Sequence, residues 1–503
     1  MSNKKKSLLL VGLFIVGYFF IHLLNPTNLP VFADESIYIR WAQLIIDDWQ
    51  QYLFFPLNDG KTPIYIWALV PFQFIVKDHL LAGRLLSMVV GLAQAWVMSL
   101  LAKQLKLSKK IQILSAVMTV FLPYWFFHHH LALMDGMLTL WLSCSALFTL
   151  KIVNQKSSQS IISTNSILAG IFLGLAILTK IPAVLFIPSL LLLLFINNPL
   201  KNKYLKNQTT QIIISLFIAT SLFFLLKLHP AFGQLFSRGS DFLFPWKEIV
   251  FEGKWRETVP SWPTYLHYFG QYLTWPIFIF ALIGLILKRK RESLILNLSW
   301  LLYALPTMLM GKVVYARYLF SVSIFITLAA LLALSQLTKK SLIIRLFVML
   351  MMLLSFYQST QFIFSLAFHA EKIKFVKSDT VQYLTEWSAG FGVKETVELI
   401  KKLGTHQRVL VLSEGYFGTL PDGLLMYLHR QNVDNIYIEP IGQPINNLKK
   451  ATTPFEMFDQ VLLVGNSHRL NLDLSQAELL KEYCRPFDAP CHQIWDITTI
   501  IAN

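Results

Sequence analysis

A chain of 503 residues that is 55% hydrophobic and only 14% charged lacks the water-facing surface of a soluble protein, in which about a quarter of the residues carry charge. The formal charge of +16 lies in short Lys/Arg clusters between apolar runs, not in one basic stripe with interleaved aromatics, and this speaks against nucleic acid as a partner. Three cysteines are too few for a disulfide framework.

In chain order the apolar runs predict about eleven membrane spans, because each approaches the length needed to cross a ~30 Å hydrocarbon layer. They cover 8–24, 85–102, 111–127, 131–150, 161–178, 181–196, 212–226, 268–287, 294–310, 318–337 and 346–364. No small-residue cleavage site follows Leu24-Asn25-Pro26, so the first run is expected to stay as an anchor. Every second connection is short and basic: Lys4-Lys5-Lys6, then Lys103/Lys106/Lys109/Lys110, Lys151/Lys156, Lys201/Lys203/Lys206, Lys288-Arg289-Lys290-Arg291 and Lys339-Lys340. The positive-inside rule then puts the N-terminus in the cytoplasm, and an odd span count puts the C-terminal segment outside. A multi-pass protein of the plasma membrane is expected.

Two outer pieces are long. In the first, 25–84, the stretches 36–49 and 63–76 suit helices lying in the interface, with Trp41, Trp49, Tyr52, Tyr65 and Trp67 at headgroup level. The second, 229–267, is rich in Trp, Pro and Phe. After Phe364 the composition changes. RVLVLS (408–413), NIYIE (435–439) and QVLLV (460–464) predict strands, and 422–431 and 475–483 predict helices, which together make a small α/β domain. The expected organisation is a polytopic α-helical membrane domain over 1–366 and an extracytoplasmic α/β domain over 367–503. Cys484 and Cys491 pair if that end is outside the cytosol; two free thiols are the alternative.

Ionisable residues set against membrane spans are costly and mark candidate sites. Asp34-Glu35 follows the first span, with Tyr38 one helical turn beyond. An Asp here either caps a helix or serves as a carboxylate able to take a proton from an incoming hydroxyl. Lys61 closes the same loop in Lys61-Thr62-Pro63-Ile64-Tyr65, either snorkelling or neutralising a phosphate at headgroup depth. Asp135 begins an apolar run of some fifteen residues, which suits either function or a structural pair with a cation. His128-His129-His130 precede it, but successive helical positions diverge by about 100°, so packing is the expected role and not a shared metal. Lys180, Lys312 and Arg317-Tyr318 complete an outer ring of cations around two carboxylates. Cations for a phosphate leaving group and an acid for the nucleophile are what transfer from a phosphate-linked donor demands.

These residues carry a resemblance. Asp34-Glu35 with Tyr38, Lys61-x-Pro63-x-Tyr65, Asp135, Gly174-Leu175-Ala176-x-x-Leu178-Thr179-Lys180 and Arg317-Tyr318 occur in the order found in GT-C fold membrane glycosyltransferases. The branch they resemble holds the protein O-mannosyltransferases and bacterial lipid A aminoarabinose transferases. A later stretch, Tyr383-x-x-Glu386-Trp387-Ser388-Ala389-Gly390-x-Gly392-x-x-Glu395, resembles an element of some bacterial members; a glycine turn leading into a helix accounts for it equally. The chain departs from the aminoarabinose branch at Ile37, where that branch has Arg. It departs again at Gly60, where an acidic residue linked to a metal precedes the Lys, so a divalent metal is left open as a cofactor. No long insertion resembles the lumenal sugar-binding repeats of eukaryotic members, which favours a bacterial type.

The resemblance implies inverting transfer from a polyprenyl-phosphate sugar to a hydroxyl of a protein, lipid or glycan acceptor on the outer face. Asp34 is then the general base, and Lys61, Lys180, Arg317 and Tyr318 hold the donor phosphate. Asp135 orients the acceptor or holds a cation, while Glu35, Tyr38 and Tyr65 support the set. Two other classes compete. A flippase for lipid-linked sugars predicts broken helices in two corresponding halves and charges near the midplane. A scaffold presenting the C-terminal domain leaves Asp34, Asp135 and Lys180 without a role.

Overall fold

The computed structural model describes residues 3–155, 162–197, 204–431 and 433–502. Ile161 of the fifth expected span and the loop cations Lys156, Lys201 and Lys203 lie outside them, as do the side chains of Lys4, Lys5 and Lys6. The chain forms two compact units: Met1–Leu24, Leu53–Trp67 and Leu85–Phe364 in one, Asn25–Tyr52, Ala68–Arg84 and Ser365–Asn503 in the other.

The first unit is helical. Among the described residues six helices are long and apolar enough to cross a membrane: His79–Gln104, Met134–Asn154, Leu205–Leu228, Lys290–Met310, Ala316–Leu337 and Leu342–Phe368. A seventh is the pair Trp255–Tyr272 and Trp275–Ile286, bent by 106° where Thr274 adopts φ 67 and Pro276 follows. The other expected spans fall on shorter helices. The 111–127 run breaks at Leu122, because Pro123 cannot donate to the preceding turn and opens a new helix, Pro123–His128. The 181–196 run is split likewise by Pro182 and Pro188 into Ile181–Phe186 and Ile187–Leu193. Ala316–Leu337 is almost wholly buried, whereas Leu342–Phe368 keeps Leu346, Phe347, Leu350 and Leu353 exposed, the mark of a helix turned toward lipid.

Close packing on small residues fixes the helices that matter for the site. Thr164–Thr179 lies against Leu205–Phe224 through Gly170 and Gly174, where an added Cβ would come within 2.6 Å of Ser215 O and 2.7 Å of Leu222 Cδ1. Ser215 Oγ donates to Ser166 O at 2.8 Å, and Ser145 Oγ ties the Met134–Asn154 helix to Ala169 O at 3.0 Å.

The second unit contains the helix Ala33–Asp47 and a five-stranded sheet of order β2-β1-β3-β5-β4. β1 (Val409–Glu414), β2 (Ile436–Gly442) and β3 (Gln460–Asn466) are parallel, and β5 (Ala489–Asp496) is antiparallel to β3 and β4 (Glu478–Arg485). On one face Leu410, Leu412, Val461 and Leu463 form a core with Ile441, Ile445 and Ile497; on the other Val409, Val411, Leu462 and Val464 are equally buried. Both faces are covered, as central parallel strands require. The stretch 475–483, expected as a helix, instead enters strand β4. An edge strand with Glu478, Lys481 and Glu482 in the open has no apolar periodicity to declare it, and pairing with β5 decides its state. That hairpin is closed by a Cys484–Cys491 disulfide; Cys144 is a buried free thiol.

His492 on β5 is fully buried, with Nε2 2.7 Å from Thr396 Oγ1. The hydroxyl donates to Gly392 O, so the ring nitrogen donates to the hydroxyl. Burial, assisted by the charge of Arg485, pushes its pKa down to about 3 from 6.5. The unfolded chain therefore binds a proton that the folded domain refuses. Stability is full above pH 6.5 and falls by up to about 1.4 kcal/mol per pH unit as the pH drops from there toward 3. The protection factors of the β5 amides, which divide out the intrinsic pH dependence of exchange, are expected to fall between pH 7 and pH 5, and His492→Gln should remove that fall; protection factors with the same pH dependence in the variant would refute it.

Candidate active site

Met134–Asn154 and Thr164–Thr179 are consecutive, packed, antiparallel helices, so the first turn of one and the end of the other meet at the same end of the pair. Asp135 occupies that first turn and Lys180 the C-cap, each at the helix end whose dipole its charge complements. Their side chains close a 2.7 Å ion pair, with Asp135 almost buried and Lys180 about a quarter exposed. Thr139 Oγ1 donates to Asp135 O and meets Ser321 Oγ at 2.8 Å, joining this pair of helices to the turn that begins Ala316–Leu337.

That turn, Ala316–Val322, is a tight 3₁₀ segment that places Arg317 and Tyr318 beside the pair. Lys180 Nζ stands 4.8 Å from the Tyr318 ring centre, and the nearly buried Arg317 guanidinium lies 5.5 Å from the same ring and 5.7 Å from Tyr315. Asp135, Lys180, Arg317 and Tyr318, separated by as much as 183 residues in the chain, thus form one cluster. Two cations beside one carboxylate leave a net positive site, suited to an anion.

Lys61 belongs to the same unit, and its Nζ lies 5.7 Å from the Phe242 ring. Around it Arg238 pairs with Asp59 and Asp241, and Lys312 Nζ donates to Ser240 O at 2.6 Å. Tyr65 is buried with its hydroxyl 3.1 Å from Ser87 Oγ, a positioning contact. The three histidines turn to different neighbours: His128 to Phe320 and Tyr124, His129 to Trp125 O at 2.8 Å, His130 to Phe126 and His22.

In the second unit Asp34 is half-buried in the first turn of Ala33–Asp47. It is not the N-cap, which is Phe32; the Phe32 N–H is taken up by Glu35 Oε2 at 3.0 Å. Glu35 is held further by Arg84, which donates Nε to Oε1 at 2.9 Å and Nη2 to Oε2 at 2.7 Å, both side chains fully buried. The remaining guanidinium protons reach Pro26, Leu29 and Pro30 carbonyls. Glu35 is therefore a fixed strut under Asp34, and Tyr38 is buried on the same helix. Arg84 escaped the sequence reading, which used it only to end a loop; an arginine inside the apolar helix His79–Gln104 was the available signal. Arg84→Met strands a buried carboxylate and is expected to cost about 3–5 kcal/mol, measured as thermal unfolding; a loss below about 1 kcal/mol would show that the pair is not structural.

Residues 50–238 match the family model described as dolichyl-phosphate-mannose-protein mannosyltransferase. ArnT from Cupriavidus metallidurans in its apo state superposes with a TM-score of 0.61 at 13% identity, covering 98% of this chain and 99% of that one. Its complex with undecaprenyl phosphate gives 0.58 at 14% identity over 98% of each chain. AglB, an oligosaccharyltransferase from Archaeoglobus fulgidus in complex with an inhibitory peptide and a dolichol-phosphate, gives 0.57 at 13%, covering 92% of this chain and 70% of that one. No curated protein sequence matches the chain.

The chain has a GT-C fold, shared with ArnT and AglB. Within this GT-C chain the position that would carry a metal-linked acid is Gly60, in a left-handed turn at φ 69 with no side chain to ligate. The neighbouring carboxylate, Asp59, is already taken by Arg238. The residues present do not fit a metal there, and no step below is routed through one.

Proposed function

We propose that the protein is an inverting glycosyltransferase that moves a sugar from a polyprenyl-phosphate donor to an acceptor hydroxyl outside the cytoplasm. The observation that carries this reading is the positive cluster of Lys180, Arg317 and Tyr318 around Asp135, in a fold whose ArnT neighbour holds undecaprenyl phosphate. The acceptor oxygen attacks the anomeric carbon as its proton passes to Asp34. The bond to the phosphate oxygen breaks on the opposite face and the electron pair leaves with the lipid phosphate. Lys180 and Arg317 stabilise that group, Tyr318 donates a hydrogen bond to it, and Lys61 adds positive potential. Since phosphate stays ionised throughout, electrostatic stabilisation replaces acid catalysis on the leaving group. Asp135 keeps Lys180 in place. The C-terminal domain lies outside the cytoplasm in this reading, and the disulfide Cys484–Cys491 supports an oxidising compartment for that end. Membrane lipids surround the exposed helices.

The test is release of free undecaprenyl phosphate from a panel of undecaprenyl-phosphate sugars by the protein in lipid nanodiscs. Release with at least one donor supports transfer, with water as a poor acceptor. Donor lipid that crosses liposome bilayers uncut would overturn it in favour of a flippase.

A further inference from the structure

In the order β2-β1-β3 of the second unit, the chain leaves β1 toward one side and returns to β3 on the other, so the carboxyl ends of β1 and β3 form a topological switch point. Parallel α/β sheets bind ligands in the crevice outside such a point. Here that place is built from rigid parts. β1 ends at Glu414, buried and accepting from Asn466 N at 2.6 Å, Asn466 Nδ2 at 2.8 Å and Arg469 Nη1 at 3.0 Å. The Arg469 guanidinium is set 5.0 Å from the Trp387 ring, leaving part of its edge open.

The loop that follows β1 presents Tyr416 and Phe417 to solvent at 59% and 52% exposure. At that exposure both side chains offer ring area to a ligand. The loop is not slack. Gly415 at φ 80 and Gly418 at φ 111 hold conformations that other residues resist, and a Cβ on Gly418 would lie 2.8 Å from the Trp387 ring. Gly418 N–H donates to Asp422 Oδ2 at 2.8 Å, and Thr419 Oγ1 donates to Trp387 O at 2.7 Å. Gly418 O in turn accepts from Ser36 Oγ at 2.8 Å, and Ala33 N–H donates to Ser388 O at 3.0 Å. The aromatic loop and the Trp387 turn are therefore tied to the same helical turn that carries Asp34.

We propose that Trp387, Tyr416, Phe417 and Arg469 form the acceptor-recognition surface, and that the acceptor they recognise is a carbohydrate. The proposal rests on the transferase reading and deepens it by naming the acceptor class. A sugar ring offers flat C–H faces that lie on aromatic rings and vicinal hydroxyls that match a guanidinium fork. Preorganised aromatics also spare the ordering cost that a mobile loop would impose on binding. The Glu386-Trp387-Ser388-Ala389-Gly390 stretch thereby acquires a role: it fixes Trp387 and joins the loop to the base-bearing helix.

The test uses the full chain in nanodiscs and saturation-transfer NMR with mannotriose, maltotriose, chitotriose and a Ser/Thr-containing decapeptide as probes. Ring protons of at least one sugar are expected to saturate. The signal should fall roughly fivefold in Tyr416→Ala/Phe417→Ala and return in Tyr416→Trp/Phe417→Trp. No saturation in any sugar, saturation of the peptide alone, or a signal unmoved by the double alanine variant would each overturn the proposal. Undecaprenyl-phosphate release by the wild type, run alongside, reports on the transferase reading separately, since sugar binding without release condemns that reading and not this surface.

Discussion

Lys180→Ala is expected to weaken undecaprenyl-phosphate binding by about tenfold to a hundredfold, with turnover falling as well. The variant removes one charge-assisted contact to the phosphate, worth about 1.5–3 kcal/mol, and 1.4 kcal/mol is a factor of ten. It also leaves Asp135 almost buried without its 2.7 Å partner, adding a negative charge beside the lipid phosphate. These two effects can be separated. Asp135→Asn on the Lys180→Ala background relieves the stranded carboxylate, so it should recover part of the stability and part of the affinity. If the double variant bound the lipid as tightly as wild type, Lys180 would serve only to neutralise Asp135, and the phosphate role would pass to Arg317. Lys180→Arg keeps the charge but not its position over the Tyr318 ring, and it should fall between the two. The readout is a direct titration of undecaprenyl phosphate.

The ion pair of Asp135 and Lys180 was within reach of the sequence because its causes are local. An acid opening one apolar run and a lysine closing the next must come together if the two runs form a helical hairpin. Arg317 and Tyr318 joined them through a turn more than a hundred residues on; the topology put them in the same outer ring, and the ordered family resemblance grouped them as a phosphate site. The link from Arg84 to Glu35 had only the oddity of an arginine in an apolar helix to announce it, and in the first turns of that helix a loop boundary was a sufficient explanation. Strands β1 to β3 are buried on both faces and so declare themselves as apolar runs. β4 is an exposed edge strand whose state depends on its pairing with β5, and so the sequence pattern over 475–483 pointed to a helix. Proline explains why several spans are broken: a hydropathy window averages across Pro123, Pro182 and Pro188, whereas the backbone does not.

Asp34→Asn is expected to lower kcat by about a hundredfold to ten-thousandfold while leaving KM for the donor within about twofold, because a positioned general base contributes that much and touches the acceptor proton, not the lipid. The substitution suits the question. Asn keeps the size and the polar oxygen of Asp, and loses only the charge and the basicity. The interaction of that charge with the helix end is worth about 0.3–1 kcal/mol, and Phe32 N–H, the cap donor, is satisfied by Glu35. Glu35→Gln is the counterweight: it breaks the paired hydrogen bonds to Arg84, so its effect should appear as lost stability before lost chemistry. A base assigned to the wrong carboxylate would reverse this order, with Glu35→Gln inactive at full stability and Asp34→Asn active. A rise in donor KM at unchanged kcat for Asp34→Asn would mean that Asp34 binds and does not catalyse. The predicted pattern separates the two neighbouring acids: Glu35 spends its lone pairs on Arg84 and the backbone, and Asp34, half-buried one residue earlier on the same turn, is the carboxylate to which the proposed mechanism gives the proton.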